Sequence, residues 1–271
     1  MYRRSRRALT VVAAGLLLAV PVQAQDADHS VWFDGFGFAF SEDLGSSVNI
    51  TTVIGDDPEV GPLEASAPST RFSLYGPART PRAGGQLGEV QLFRVDELAG
   101  YAYQSGELEA LGTLLADRPD LDPAEEGSPE SIPMLEDVGA AQGIRFLPTY
   151  VDSDQLAGIV FVTAFVQDTF PFSADSFTAV FQGISTDGST AITASIPLTI
   201  SVFPEEVTSA QIDRVFQPGG WERYVRQSLR KLREAPEEAF SPTIGAIKAM
   251  VGSMTFGDAL APEPSASPPA G

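Results

Sequence analysis

Cysteine is absent from all 271 residues, and histidine occurs once, at His29. The first absence excludes disulfide staples, thiol chemistry, a lipid-modified N-terminal cysteine and cysteine-ligated zinc. The second makes any Ser-His-Asp arrangement depend on His29, and no Gly-x-Ser-x-Gly elbow accompanies it. His29 falls near the expected mature N-terminus, so it reads as a solvent-exposed residue. Positive charge is also scarce: 17 Lys and Arg stand against 36 Asp and Glu, for a formal net charge of −19. Such a field opposes nucleic acid and anionic surfaces at long range. Only one apolar run is conspicuous, Ala8 to Val20. Its 13 residues fall short of the ~20 that span a bilayer.

That run has a context. Arg3, Arg4, Arg6 and Arg7 precede it, and Pro21-Val22-Gln23-Ala24 follows, with small residues at Val22 and Ala24. This is the three-part layout of a secretory signal with cleavage after Ala24. Ser5-Arg6-Arg7-Ala8-Leu9 partly resembles a twin-arginine signal, so both export routes stay open. The chain thus divides into a signal peptide (1–24), one domain (25–256) and a Pro/Ala/Ser-rich disordered tail (257–271). Loss of the four leading arginines takes the formal net charge from −19 to −23. The expected location is outside the cytoplasm: periplasm, cell surface or medium. No transmembrane segment remains after cleavage.

Within the domain, Phe36, Phe38 and Phe40 alternate with Gly37 and Ala39, the pattern of a strand with one bulky face. Further strands are predicted over 48–54, 71–75 and 90–95. The period then changes to helical: Leu108, Leu111, Leu114 and Leu115 share a face, Ser105 stands as N-cap, and Pro119 stops the helix. Met134–Gln142 suggests a short helix, and Ile144–Leu147 opens another strand. Gly158–Val166 is apolar on both faces, with Ile159, Phe161 and Phe165 on one and Val160, Val162 and Val166 on the other, as a doubly covered strand requires. Phe177–Ser185 and Ala191–Ile196 flank Asp187-Gly188, a hairpin signal. Trp221, Tyr224, Val225, Leu229 and Leu232 form a helical stripe between Pro218-Gly219-Gly220 and Pro236. Ile244, Ile247, Met250 and Val251 form another. The sum is an α+β domain with a largely antiparallel sheet of about eight strands and helices packed on it.

Phe33-Asp34-Gly35, Arg71-Phe72, Arg145-Phe146-Leu147-Pro148, Phe181-Gln182-Gly183-Ile184, Ala194-Ser195-Ile196-Pro197-Leu198 and Phe240-Ser241-Pro242 together resemble a group of exported bacterial proteins of unknown function. At the level of fold alone there is a distant similarity to photosystem P-subunit and Mog1-like domains. The resemblance implies no activity and gives no residue a role.

Chemistry-bearing patterns are few. Asp152-Ser153-Asp154 offers two oxygens for calcium, but no EF-hand spacing follows. Carboxylates abound at Asp56-Asp57, Asp117, Asp120, Asp122 and Glu125-Glu126, without a pattern that pairs any two. No catalytic, metal or cofactor residue is therefore singled out, and no cofactor is expected. One surface stands apart. Arg214, Arg223, Arg226, Arg230, Lys231, Arg233 and Lys248 carry seven of the thirteen positive charges beyond Ala24. Arg223, Arg226, Arg230 and Arg233 lie opposite the apolar stripe. They are the candidate partner-binding residues, for an envelope protein, polymer or lipid of negative charge; the alternative is a solvated face paired with the chain's own acidic loops. The leading expectation is an exported, non-catalytic binding or interaction module of the bacterial cell envelope. A carboxylate-based hydrolase, possibly acting on glycans, and a scaffold or assembly factor using helix 221–233 are the alternatives.

Overall fold

The computed structural model describes residues 28–59, 65–76, 85–122 and 131–257. The expected signal peptide, nearly all of the expected tail and part of the acidic loop after Asp122 lie outside the described residues. Gly257, assigned to the tail from sequence, is placed against the domain, its N–H donating to the Gly35 carbonyl at 3.0 Å.

The framework is an antiparallel sheet in the order β3 (Ser47–Val53), β4 (Ser69–Tyr75), β5 (Gln86–Arg94), β9 (Thr190–Ile200), β8 (Phe177–Ser185), β7 (Leu156–Val166) and β6 (Ala141–Asp152). A two-residue strand, β10 (Phe240–Ser241), makes the eighth by pairing with the end of β9. The sequence expectation of an α+β domain with about eight antiparallel strands holds. It missed one division. Phe36–Phe40 (β2) does not join the large sheet; it pairs with β1 (His29–Phe33) and β11 (Thr255–Phe256) in a separate three-stranded sheet. Asp34 and Gly35, with φ of 48° and 77°, form the tight turn that folds β1 onto β2. That hairpin incorporates His29, which sequence alone read as a solvent-exposed residue near the expected mature N-terminus.

Both faces of the large sheet are covered. On one face Phe72, Leu74, Val90, Ile192, Ala194, Val160 and Val162 meet Phe36, Phe38 and Phe40 of β2, Leu232 of α3 (Gly220–Glu234), and Ile247, Met250 and Val251 of α4 (Ile244–Gly252). On the other, Ile159, Phe161 and Val180 lie under Leu111 and Leu114 of α1 (Ala102–Asp117) and under Ile132 and Met134. The two-faced apolar pattern of β7 is thus accounted for. Phe181 occupies a particular niche. Gly158 and Gly183 pair across β7 and β8, and a Cβ on either would stand 2.4–2.5 Å from the Phe181 ring. The glycines are there so that this ring can lie flat on the sheet.

Two local expectations fail. Ser105 is not the N-cap of α1: the helix begins at Ala102 after Tyr101, whose side chain makes no cap bond. Ser105 donates instead to the Leu98 carbonyl at 2.6 Å, tying the helix to the preceding 3-10 turn, Val95–Gly100. Residues 134–140 form no helix, and 141–142 already belong to β6. Met134 N–H donates to Glu107 at 2.7 Å and Leu135 N–H to Gln182 at 3.2 Å. Distant side chains thus satisfy backbone donors that a helix would have used, and the segment stays extended over the sheet. The β8–β9 hairpin does turn at Asp187-Gly188, with Gly188 at φ 71°.

Candidate functional site

Helix α3 forms where its stripe required. Leu232 is buried, and Trp221, Tyr224, Val225 and Leu229 pack partly buried against the main core. Tyr224 fixes the helix to the β7–β8 connection: its hydroxyl accepts from Phe172 N–H at 2.6 Å, and its ring lies 5.4 Å from that of Phe172. The opposite face carries the arginines. Helix α3 lies against β6, the last strand of the sheet.

Strand β6 is irregular at this contact. Its register with β7 shifts between Gln142 and Ile144 and again between Phe146 and Thr149. Leu147 takes φ 50°, a left-handed conformation that costs a non-glycine residue roughly 1–2 kcal/mol. Pro148 follows and cannot donate to a ladder. The bulge opens a cleft of about 340 Å³ between β6, α3 and residues 119–122. Its apolar wall is Leu121, Phe146, Leu147, Pro148 and Leu229; its polar wall is Asp120, Asp122, Arg145, Tyr150 and Arg233. A second, shallower cleft of about 430 Å³ continues along α3, lined by Arg223, Arg226, Gln227, Leu229, Arg230 and Arg233. Leu229 and Arg233 belong to both, so the two make one groove.

The four predicted arginines differ in circumstance. Arg233 is not free: one of its nitrogens, Nη2, meets both Asp122 oxygens at 2.8 and 2.9 Å. For this residue the alternative of a charge paired with the chain's own acidic loop describes what is found. Arg223 donates to the Pro218 carbonyl at 3.2 Å, which steers the side chain without neutralising it. Among the described residues, the Arg226 and Arg230 side chains make no hydrogen bond or ion pair, and both residues are exposed. The groove also contains a cation that sequence reasoning missed. Arg145 is 5% exposed; burial pulls its guanidinium below its ordinary pKa, and Asp122 pushes back. Nothing in Arg145-Phe146-Leu147-Pro148 announces this: the residue lies in regular register opposite Thr163 of β7, which is itself fully buried. Near the floor, Arg118 forms a two-pronged ion pair with Asp152 and stands 5.2 Å over the Tyr150 ring, whose hydroxyl donates to the Pro119 carbonyl at 3.1 Å. Asp152, a candidate calcium oxygen by sequence, is therefore engaged.

Other ionisable groups gather elsewhere. Glu89 on β5 and Glu136 on the 131–140 segment lie on the α1 side of the sheet. Burial raises the pKa of both; Glu89 raises that of Glu136 further, and Arg71 lowers both. Arg71 Nε sits 2.9 Å from Glu89, and Ser195 donates to Glu136 at 3.1 Å. His29 is half-buried in β1, its ring 5.4 Å from that of Phe40, rather than fully exposed. Among the described residues no three His, Cys, Asp or Glu side chains group so as to hold a metal ion, and no helix is long and apolar enough to cross a membrane.

In comparisons with known proteins, no family model, no curated protein and no solved structure matches the chain.

Proposed function

We propose that this chain is an exported, non-catalytic binding module of the bacterial cell envelope, which engages an anionic partner through the groove along α3. The observation that carries the reading is Arg226 and Arg230, exposed and in no ion pair among the described residues, beside Arg223 and Leu229 in one cleft; Glu222 and Glu234 stand one helical turn away from them. A guanidinium row flanked by apolar side chains suits a partner with regularly spaced negative charge. The chain's acidity, −19 overall, makes recognition short-ranged, because salt screens the opposing field beyond ~8–10 Å. The signal-like N-terminus supports export. An assembly factor would use the same face. The test is binding of wild type and the Arg226→Glu/Arg230→Glu variant to vesicles rich in phosphatidylglycerol and to envelope extract, at low and at physiological salt. Binding that falls with salt and falls at least about tenfold in the variant supports the reading; ~1.4 kcal/mol is a modest loss for two reversed charges. Equal binding by both proteins, or none by either, rejects it.

A carboxylate-based hydrolase is favoured by one observation: Glu89 and Glu136 lie on the same side of the sheet, linked to Arg71 and Ser195, where burial disfavours the charge of both. Glycan hydrolysis by wild type that is lost in Glu136→Gln would favour it.

A further inference from the structure

The two outer strands of the large sheet are finished in opposite ways. Strand β6 has two register shifts, the left-handed Leu147 and Pro148, devices that stop a sheet edge from recruiting another strand. Strand β3 has none. Its seven residues, Ser47-Val48-Asn49-Ile50-Thr51-Thr52-Val53, pair with β4 in unbroken register. They include no charge, no proline and no glycine. Among the described residues no strand pairs with its outer side. Just beyond it Ile54 is 88% exposed, the barest large apolar side chain of the fold.

We propose that β3 pairs antiparallel with β3 of a second copy about a two-fold axis, joining the two sheets into one. A two-fold axis opposes the strand to itself, and an uncharged strand meets no like charge when it does so. Faces limit the register. Val48, Ile50 and Thr52 pair with Leu74, Phe72 and Thr70 on the core side, whereas Asn49 and Thr51 pair with Ser73 and Arg71 on the other. The two-fold must pass through a residue, or core-facing positions would meet outward-facing ones. An axis at Ile50 sets Ile54 against Ser46. Axes at Thr51 and Thr52 set it against Val48 and Ile50 and remove it from water; Thr51 is the centre because that register keeps Asn49–Val53 paired, whereas Thr52 keeps only Thr51–Val53. Charge opposes association: each copy carries a formal net charge of −19, and Glu42, Asp43, Asp56 and Asp57 flank β3 in the sequence. Dimerisation therefore strengthens with salt, opposite to binding by the arginine groove, which keeps the two proposals separable.

The chain has no cysteine, so Thr51→Cys introduces a unique thiol. Paired residues in an antiparallel ladder have Cα atoms ~4.5–5.5 Å apart, within disulfide reach. Sedimentation of wild type from about 1 to 100 µM should show a concentration-dependent dimer, tighter at ~0.15 M than at ~0.01 M salt, where the screening length is ~30 Å. Thr51→Cys should give a disulfide-linked dimer under mild oxidation, much faster than Gln227→Cys on the exposed face of α3. Asn49→Lys/Thr51→Lys should raise the dimer Kd at least about tenfold. A monomer at every concentration, equal cross-linking at positions 51 and 227, or an unchanged Kd in the folded lysine variant overturns the proposal.

Discussion

Phe161 offers a direct test of the double-covered sheet. Its side chain is 0% exposed and lies between β7 and the layer formed by Leu111, Leu114, Ile132 and Met134. Truncation to alanine removes a ring whose loss costs about 3–5 kcal/mol in a core. Where in that range the value falls depends on collapse. Strand β7 is held on both sides, by β6 and β8, so the floor of the cavity cannot move. The cover can move partly, because residues 131–140 are irregular and held by side-chain bonds such as Leu135 N–H to Gln182. We expect ~4 kcal/mol, in mid-range for a half-rigid site. At ~2–4 °C per kcal/mol for a domain of this size, the Tm should fall by roughly 8–16 °C. Urea unfolding followed by tryptophan fluorescence measures the loss as a shift in midpoint at constant slope. Phe33→Ala is the companion, because Phe33 is 40% exposed and should cost much less. A Phe161→Ala midpoint equal to that of wild type, or a smaller loss than Phe33→Ala gives, would refute the layered core.

Three further outcomes follow from single residues. Glu136 has a folded pKa above its unfolded value, because burial and Glu89 disfavour its charge while Ser195 and Arg71 only partly compensate. Wild type therefore loses stability as pH rises from the unfolded value, ~4.3, through the folded one. Glu136→Gln, which keeps an acceptor for Ser195, should be the more stable protein at pH 7, with the difference shrinking toward pH 4 in parallel melts. Asp187 behaves oppositely: it accepts from the Ser185 hydroxyl and from the Ser189 N–H and hydroxyl, which hold its pKa down at about 2. Its carboxyl resonance in an NMR titration should stay ionised to well below pH 3.9; a midpoint near that reference would show the hairpin cap to be absent. Leu147→Gly should stabilise or leave unchanged a site now at φ 50°, since strain relief of ~1–2 kcal/mol offsets the lost side chain; a Tm drop of several degrees would mean that the Leu147 side chain packs more than its exposure suggests.

What the sequence discloses depends on the reach of each interaction. The faces of β7, the stripe of α3 and the β8–β9 turn are properties of a few consecutive residues, and they are legible. Phe36–Phe40 pairs with β1 through the local Asp34-Gly35 turn, but its other neighbour, Thr255-Phe256, comes more than two hundred residues later, and no periodicity carries that. The Met134–Gln142 segment fails as a helix because Glu107 and Gln182 compete for its donors. In the groove, the exposed arginines are visible from a helical wheel. Arg145 is not, because its burial comes from lying opposite the buried Thr163 of β7, a partner that the residues around it do not disclose. Pairing between Arg233 and Asp122 joins residues 111 positions apart, and is likewise a fact of the fold alone.

The β6 bulge links edge protection to the groove. A regular β6 would carry Leu147 and Pro148 in the ladder, lie flat beside α3 and present a free row of backbone donors. Bulging blunts that edge and, in the same movement, frees the space that Arg145, Tyr150 and Leu229 line. Strain at Leu147 is thus a local cost with two returns, one in solubility and one in the shape of a concave surface beside the arginine row. Strand β3, at the opposite end of the sheet, has no such device. Its regular, uncharged edge contrasts with a chain that is otherwise heavily acidic. One edge of the sheet is blunted beside a cationic groove and the other is left straight, and under the two proposals above the contacts made at these edges should respond to salt in opposite directions.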